Sequence, residues 1–557
     1  MARKGTDEFV FVPLGGVGEI GMNMALYGFG PADDRYWIMV DCGVSFADET
    51  APGVDILMAD TRFIEEERKN LIAIVLTHAH EDHYGAVLDL WPRLKVPVYA
   101  TPFTAGMLQA KAAGQANAPK IPLNVLGQGS TVKIGPFEVE FLTMSHSIPE
   151  PNALAIRTPL GTAIHTGDWK IDHEPGVGVP IDIDRLAAVG REGVRALICD
   201  STNAIREGRS PSEGEVAKGL TEVIAAAKKR VAVTLFSSNV ARIRAVALAA
   251  KAAGRDVVVL GRSIKRVADV ARELGYLDDL PPFLDEEAYG YLPPENVVAL
   301  CTGSQGEPRA ALARIAAGDH RHVTLNKGDL VIFSSRTIPG NEKAVNAVVN
   351  ALSTRGVEIM TDRDALIHTS GHPRRDELRE LYGLLKPELA VPVHGEALHL
   401  AAHADLAREL GVPEVVETRN GRMVRLAPGR GEIIDEVPVG LLYREGNLIA
   451  EPEVSGVRER RRIAYAGHIV IALVQDTKGN MLADPEIVLA GLPETDADGD
   501  VFEDVIYDAV EGAIRSIPKS RRKDPNVVAE AARRAARAAV LAAWGKKPLC
   551  QAIVSVV

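Results

Sequence analysis

Cysteine is scarce and never paired in this chain: Cys42, Cys199, Cys301 and Cys550 lie far apart, with no Cys-x-x-Cys spacing. That excludes a disulfide framework and a cysteine zinc site, so all four read as buried thiols. Long apolar runs are missing as well. LIAIVL (71–76) and DVVVL (256–260) fall far short of the ~20 residues that span a bilayer. Met1 is followed by ARKGTDEF, without the apolar core of a signal peptide, so the expected location is cytoplasmic, with no membrane partner. Cations are in deficit, and a net charge of −12 argues against coating nucleic acid through the overall field. One local excess stands out: residues 515–547 carry ten Lys or Arg against Asp524 and Glu530, which also suits a solvated helix face. Aromatic residues make up only 5%, too few for an extensive base-stacking platform. What the chain does have, 46% hydrophobic and 25% charged residues, is ordinary for a globular protein. At roughly 150 residues per domain, its length suits three or four structural units.

Hydrophobic periodicity divides the chain. EFVFVPL, MNMALYGF, RYWIMVDCG, LIAIVL and VPVYA read as strands, with a helix at 84–93 and further strands at 138–143, 153–158, 162–165 and 196–200. From about 211, helical segments at 215–229 and 239–254 alternate with the short buried strands VAVTLF, DVVVL, VVALC and LVIFSS. That alternation predicts a second unit with a parallel sheet. After 356, strands are expected at VEIMT, ALIHT and LAVPVHG. A turn region at GRMVRLAPGRGE and a linker at 437–455 follow. The last hundred residues read as a small α+β module, with strands in RIAYAGHIVIALVQ, EIVLAG and CQAIVSV and helices near 500–516 and 525–543.

GGVGEIG imitates a dinucleotide fingerprint: Gly16, Gly18 and Gly21 follow a strand, and Asp41 lies 20 residues beyond Gly21. The fingerprint needs a helix directly after the glycines, and MNMALYGFGP alternates as a strand instead. A tight turn between strands is the reading adopted.

THAHEDHYG (77–85) crowds His78, His80, Asp82 and His83 behind a buried strand. His78 and His80 can point to one side, with Asp82 and His83 in the loop leading to the next helix. One turn then serves two neighbouring cations. Imidazole and carboxylate donors suit zinc, manganese or iron. Downstream, TMSHSIP offers His146, HTGDWK offers Asp168 and VPVHGE offers His394. His165 reads as a packed residue.

These motifs resemble the metallo-β-lactamase superfamily. CDSTNA, HTSGH and PVHGE resemble its β-CASP nuclease branch. PLGGVGEIGMN, FSSN, GRS, TGSQGEP and PGNE together are similar to the ribonuclease J family along nearly the whole chain. One departure is Ala79, where glycine is common; it carries no ligand. The resemblance implies an α/β fold: a metallo-β-lactamase αββα sandwich in 1–210 and 356–440, a β-CASP α/β domain inserted at 211–355, and an α+β C-terminal domain at 455–557.

It further implies two divalent metal ions, Zn2+ first, with Mn2+ or Mg2+ as alternatives. His78, His80 and His146 would hold one, Asp82, His83 and His394 the other, with Asp168 bridging. Two cations about 3.5–4 Å apart activate water and stabilise the attacking and leaving oxygens at phosphorus. Catalytic roles fall to Asp82, His372 and Asp200. His372 would donate to the leaving group and Asp200 would orient it. His368, Thr369, Ser370, Gly371 and His372 would grip a phosphate. Ser237, Ser238, Asn239, Arg262 and Ser263 would bind a 5′-monophosphate, although alone they pass for helix caps, and Asp200 alone for a strand-end cap. The implied activity is 5′→3′ exonuclease and endonuclease cleavage of single-stranded RNA in maturation and decay. Homodimers or homotetramers and RNA-degradation or ribosome-associated partners go with it. A DNA-cutting β-CASP nuclease, a small-ester or thioester hydrolase, and a catalytically dead RNA-binding scaffold are the rivals.

Overall fold

A computed structural model describes residues 5–557. The chain divides into two compact units, one formed by the residues up to Ser45 together with Met58–Gly440, the other by Phe46–Leu57 and Leu441–Val557.

In the first unit two large sheets face each other. One has eight strands, in the order Glu432–Glu436, Arg422–Ala427, Glu8–Gly15, Met24–Gly30, Tyr36–Val40, Leu71–Val75, Val98–Ala100, Leu123–Val125. The other has seven, from Thr131–Ile134 through Phe137–Thr143, Asn152–Thr158, Gly161–His165, Ala196–Asp200 and Leu389–Val393 to Glu414–Val415. Phe9, Phe11, Tyr27 and Val75 from one sheet and Phe141, Leu154, Ile198 and Val391 from the other share a single apolar layer. Helices Ile183–Glu192, Arg375–Leu385 and Ala397–Glu409 cover the outer face of the second sheet through Leu186, Leu381 and Leu406. On the first sheet Trp37 meets Phe63 of the helix Arg62–Glu66 edge-on, ring centroids 5.6 Å apart. The sandwich is therefore αββα, as expected. Tyr36–Val40 runs parallel to Leu71–Val75, and Gly161–His165, Ala196–Asp200 and Leu389–Val393 run parallel to one another. Each of these strands ends in a loop that carries polar, chemistry-bearing residues.

The insertion is a five-stranded parallel sheet in the order Asp256–Leu260, Val297–Cys301, Val231–Thr234, Leu330–Phe333, Glu358–Met360. Its three central strands are buried along their whole length, and the exposed acids Asp256 and Glu358 stand only at the starts of the two edge strands.

Several local expectations are overturned. Asp82 and His83 do not lie in a loop: Glu81–Tyr84 is a helical turn, followed by a separate helix Val87–Leu94 in place of one helix at 84–93. The acids Glu81 and Asp82 in its first turn suit a helix start. ALIHT forms no strand; the carbonyl of Ile367 is satisfied by the Arg242 guanidinium and the Ser334 hydroxyl instead of a ladder partner. GRMVRLAPGRGE is a hairpin of Arg422–Ala427 and Glu432–Glu436. The glycine segment near the start behaves as read: Gly16, Gly18 and Gly21 take φ of 84°, 90° and 104°, and the next long element is the strand Met24–Gly30.

In the second unit, the expected linker at 437–455 contains a hairpin, Leu441–Glu445 with Leu448–Ala450, closed at Gly446-Asn447. RIAYA ends the helix Val457–Ala466, and the strand begins only at His468. A three-stranded sheet of Glu486–Ala490, His468–Gln475 and Leu549–Val556 packs Ile469, Ile471 and Leu473 against Phe502, Ile506, Val528 and Ala532 of the helices Phe502–Ser516 and Pro525–Trp544. No helix among the described residues is long and apolar enough to cross a membrane.

Candidate metal centre and active site

Seven side chains from four strand ends meet at one rim. The Nε2 atoms of His78 and His146 each lie 3.1 Å from Nδ1 of His80. Asp168 Oδ2 stands 3.8 Å from the first and 3.6 Å from the second. On its other side Asp168 Oδ1 lies 3.2 Å from His83 Nε2 and 3.4 Å from His394 Nε2, and His83 Nε2 is 3.6 Å from Asp82 Oδ2. One carboxylate thus serves two clusters, His78–His80–His146 and Asp82–His83–His394, each compact enough for a metal ion.

Neighbouring groups fix which nitrogen of each ring points inward. Thr77 Oγ1 donates to Asp41 Oδ2 at 2.8 Å, so it accepts from His78 Nδ1–H at 2.9 Å and leaves Nε2 with a lone pair. His83 Nδ1–H donates to Asp41 Oδ2 at 2.7 Å, His146 Nδ1–H to the Gly371 carbonyl at 2.6 Å, and His394 Nδ1–H to Asn23 Oδ1 at 2.8 Å. In His78, His146 and His394 the second nitrogen is therefore an unprotonated donor aimed into the centre, whereas for His83 burial is outweighed by Asp168, Asp82 and Asp41, which raise its pKa until a cation takes the place of the proton. Among the described residues Asp168 Oδ1 and His394 Nε2 are buried and have no hydrogen-bond partner, a costly state for polar atoms unless they face a cation. Burial, followed by the charge of neighbouring imidazoles, pushes His78 below its ordinary pKa, which keeps it a neutral ligand. This donor set fits two divalent ions, as imidazole and carboxylate chemistry requires.

Backbone geometry reflects the same convergence. His394 sits at φ 51° and Asp41 at φ 62°, left-handed conformations held by Gly16 O and Val75 O, which accept their N–H groups. A Cβ on Gly371 would lie 2.5 Å from His146 Cε1, so only glycine lets this loop reach the ring.

His372 lies beside the two clusters, its Nε2 4.0 Å from Asp168 Oδ2 and its side chain 20% exposed, while Asp200 beneath it is fully buried. Asp200 Oδ2 accepts from His372 Nδ1–H at 2.8 Å, and its Oδ1 accepts from Thr202 N and Oγ1 at 2.8 and 2.7 Å. The strand-end cap and the histidine partner are two oxygens of one carboxylate. Burial is the largest influence on His372 and lowers its pKa, but Asp200 and then Asp168 outweigh it and hold the ring at about 9.

The HTSGH loop divides by role. Ser370 Oγ accepts from Asn203 Nδ2 at 2.9 Å and His372 N at 3.2 Å, keeping its own hydrogen to donate. Thr369 donates to Pro211 O at 2.8 Å, and His368 Nδ1 lies 3.4 Å from Arg242 Nη1. Asn239 Oδ1 caps the next helix by accepting from Arg242 N at 2.9 Å, and the Ser238 carbonyl accepts from Val240 N at 2.9 Å. Ser237, Arg262 and Ser263 gather elsewhere, with the two serine hydroxyls 2.8 Å apart in a crevice of the inserted sheet. His165 packs through Nδ1 against the Tyr27 hydroxyl at 2.9 Å.

Asn23, Asp41 and Thr77 were missed by sequence reasoning. Asp41 drew notice only for its spacing from the glycines. Its usable signal was an acid directly after a buried strand beside the histidine motif.

Two imidazole–carboxylate clusters on the rim of an αββα sandwich define a metallo-β-lactamase-fold hydrolase. Residues 23–262 match the Metallo-beta-lactamase superfamily, 228–352 the family described as Ribonuclease J, beta-CASP domain, 356–417 the Zn-dependent metallo-hydrolase RNA specificity domain, and 455–557 the Ribonuclease J C-terminal domain. The chain is 55% identical to a ribonuclease J of Sinorhizobium meliloti, over 99% of this chain and 97% of that one. It is 39% identical to that of Mycolicibacterium smegmatis, over 94% and 92%. A solved structure of a protein of unknown function from Enterococcus faecalis, 16% identical, superposes with a TM-score of 0.51 over 77% of this chain and all of that one, which speaks to the fold alone. The chain belongs to the ribonuclease J family. It is a metal-binding, RNA-binding hydrolytic nuclease.

Proposed function

We propose that the enzyme cleaves single-stranded RNA both as a 5′→3′ exonuclease and as an endonuclease, leaving 5′-phosphate products, in RNA maturation and decay. The observation that carries this reading is the shared carboxylate: Asp168 offers one oxygen to each cluster, and its Oδ1 and the facing His394 Nε2 are buried without a hydrogen-bond partner. His78, His80 and His146 would hold one divalent ion and Asp82, His83 and His394 the other, with Asp168 between them. Zinc comes first, with manganese or magnesium as alternatives. When bound, such a pair lowers the pKa of water and neutralises charge at phosphorus.

The chain's own groups do the rest. Asp82 is the most solvent-facing ligand of the second cluster, its side chain 31% exposed. Asp200 fixes the His372 ring with Nε2 outward, and a proton held there passes to the departing 3′-oxygen. Ser370 and the Gly371–His372 backbone grip the nonbridging oxygens, while His368 and Thr369 brace that loop from beneath. Ser237, Ser238, Asn239, Arg262 and Ser263 would receive the 5′-phosphate. We assign catalysis to 1–210 and 356–440, substrate contact also to 211–355, and assembly into homodimers or homotetramers to 455–557. RNA-degradation or ribosome-associated partners and a cytoplasmic setting accompany this reading.

Asp168→Ala tests it. Cleavage of 5′-phosphorylated RNA should be abolished while the circular dichroism spectrum is retained; unchanged cleavage refutes the bridging role. The wild type should also leave parallel DNA and thioester substrates intact.

A further inference from the structure

The cationic excess at 515–547 is partly committed within the fold of the second unit. Arg515 pairs with Glu511, Arg533 and Arg534 pair with Glu530, and Arg522 donates to the Ile517 carbonyl at 2.7 Å. Lys546 is placed differently. Its ammonium stands 4.7 Å from the ring centroids of both Tyr465 and Trp544 and donates to the Tyr465 carbonyl at 3.0 Å. The cation backs the Tyr465 ring without hiding it, since Tyr465 is 70% exposed.

Tyr465 lies on the helix Val457–Ala466, whose sequence VRERRRIAYA makes two faces. Val457, Arg460 and Ile463 turn inward, and Arg460 donates to Glu445 Oε1 at 2.7 Å and to the Ser455 carbonyl at 2.8 Å. At 3.6 residues per turn, Arg458, Arg461, Arg462 and Tyr465 share the opposite face within an arc of about 100°, and all four are exposed. Among the described residues Arg458 and Arg462 have no hydrogen-bond or ion-pair partner. Arg461 is attracted to Asp48, whose Oδ1 already accepts from Thr50 N and Oγ1. Like charges three and four positions apart destabilise a helix, so these arginines do nothing for the element that carries them. They make sense with an anion from outside.

We infer that this face of the C-terminal unit binds a single strand of RNA, with phosphates on the three guanidinium groups and one base on the open side of the Tyr465 ring. Arginine forks take phosphate in two parallel hydrogen bonds, and an aromatic ring stacks on a base of any identity. An acidic peptide or a lipid surface would use the arginines but leave the ring without a flat partner. From Arg458 to Tyr465 the helix rises about 10 Å, which spans about three nucleotides of a stacked strand. The chain as a whole, at −12, repels RNA, so contact away from the cleavage site has to rest on a local patch of this kind. The metal centre, the HTSGH loop and the crevice at Ser237 all belong to the other unit, so this contact is additional to them. The choice of RNA as the strand rests on the proposed RNA-cleaving reading.

Fluorescence-anisotropy titration of the full-length protein with a 5′-hydroxyl 2′-O-methyl RNA strand of about 20 nucleotides, repeated across a salt series, tests the inference. Combining Arg458→Gln, Arg461→Gln and Arg462→Gln should weaken binding at least about tenfold and flatten the slope of log affinity against log salt by about two, at roughly 0.7 per phosphate contact on a single strand. Tyr465→Ala should lose at least about fivefold, while Tyr465→Phe should match the wild type, because stacking uses the ring and not the hydroxyl. Combining Lys519→Gln, Arg521→Gln and Lys523→Gln removes the same charge elsewhere in the unit and should change affinity less than about twofold. Equal losses in the two triple variants would mean that only net charge counts, and the inference fails. It fails equally if the arginine variant keeps its RNA affinity, whether or not its binding to phosphatidylglycerol vesicles falls. RNA cleavage is scored separately, so a wild type that cuts no RNA but holds the strand through these arginines sinks only the proposed function.

Discussion

Replacing Arg242 by methionine should loosen the inserted sheet far more than any surface change. Arg242 is fully buried. Its Nε and Nη2 donate to Glu213 at 3.0–3.1 Å, and its Nη1 donates to the Ser334 hydroxyl at 2.6 Å, the Ser334 carbonyl at 3.1 Å and the Ile367 carbonyl at 3.2 Å. Arg242→Met fills similar space but strands a Glu213 carboxylate that is 2% exposed, and takes a donor from the Ser334 carbonyl, while the Ile367 carbonyl keeps only the Ser334 hydroxyl. Breaking one partner of a buried pair costs about 3–5 kcal/mol, whereas replacing both with apolar groups of similar volume is often neutral. At 1.4 kcal/mol per factor of ten, amides of Val231–Thr234 and Leu330–Phe333 should exchange with solvent roughly a hundred- to a few-thousand-fold faster in Arg242→Met. Most of that protection should return in Arg242→Met with Glu213→Leu. Because Ile367 precedes the HTSGH loop, the single variant should also cut RNA more slowly. Hydrogen-exchange mass spectrometry decides the matter: equal protection in the wild type and both variants would show that the pair fixes nothing.

Three other perturbations address the centre and its frame. Asp41→Ala removes the acceptor shared by His83 and Thr77, so metal affinity measured by chelator competition should fall about 10- to 100-fold with the fold retained; an unchanged affinity counts against the tautomer assignment. Gly371→Ala forces a methyl group to within 2.5 Å of the His146 ring, and a displacement of that order should lower RNA cleavage by about a hundredfold, whereas near-normal turnover would mean the loop yields freely. Glu140 is held below its ordinary pKa chiefly by hydrogen bonding to Arg185, with Arg157 adding to it. A depressed carboxylate contributes stability that is present above its unfolded pKa of about 4.3 and is lost as pH falls through the folded value. Glu140→Gln should therefore lower the melting temperature at pH 7, and the gap should close in acid; a gap that is constant with pH rules out the ionic origin.

The candidate metal ligands could be picked out because each sits just beyond a run of apolar residues. The strand Leu71–Val75 runs straight into Thr77–His78, Gly161–His165 into Asp168, and Leu389–Val393 into His394. Composition and period therefore located both the strands and the polar residues at their ends. Where strand reading failed, tertiary partners had replaced the ladder. ALIHT has a strand's composition, but Ile367 gives its carbonyl to Arg242 and Ser334 from other segments. Gly446-Asn447 was a hairpin signal overlooked because polar residues around it resembled a linker.

The groups that orient the ligands are of another kind. Asn23 meets His394 across 371 positions, Asp41 meets His83 across 42, and Gly371 meets His146 across 225. No period or spacing encodes such pairs, since each is made only when separate strand ends arrive at one rim. The same holds for Glu213 and Arg242, which lie on different helices of the insertion and its approach. A ligand motif states which atoms can bind a cation. Which lone pair each imidazole presents, and therefore whether the centre binds at all, is decided by partners that exist only in the folded chain.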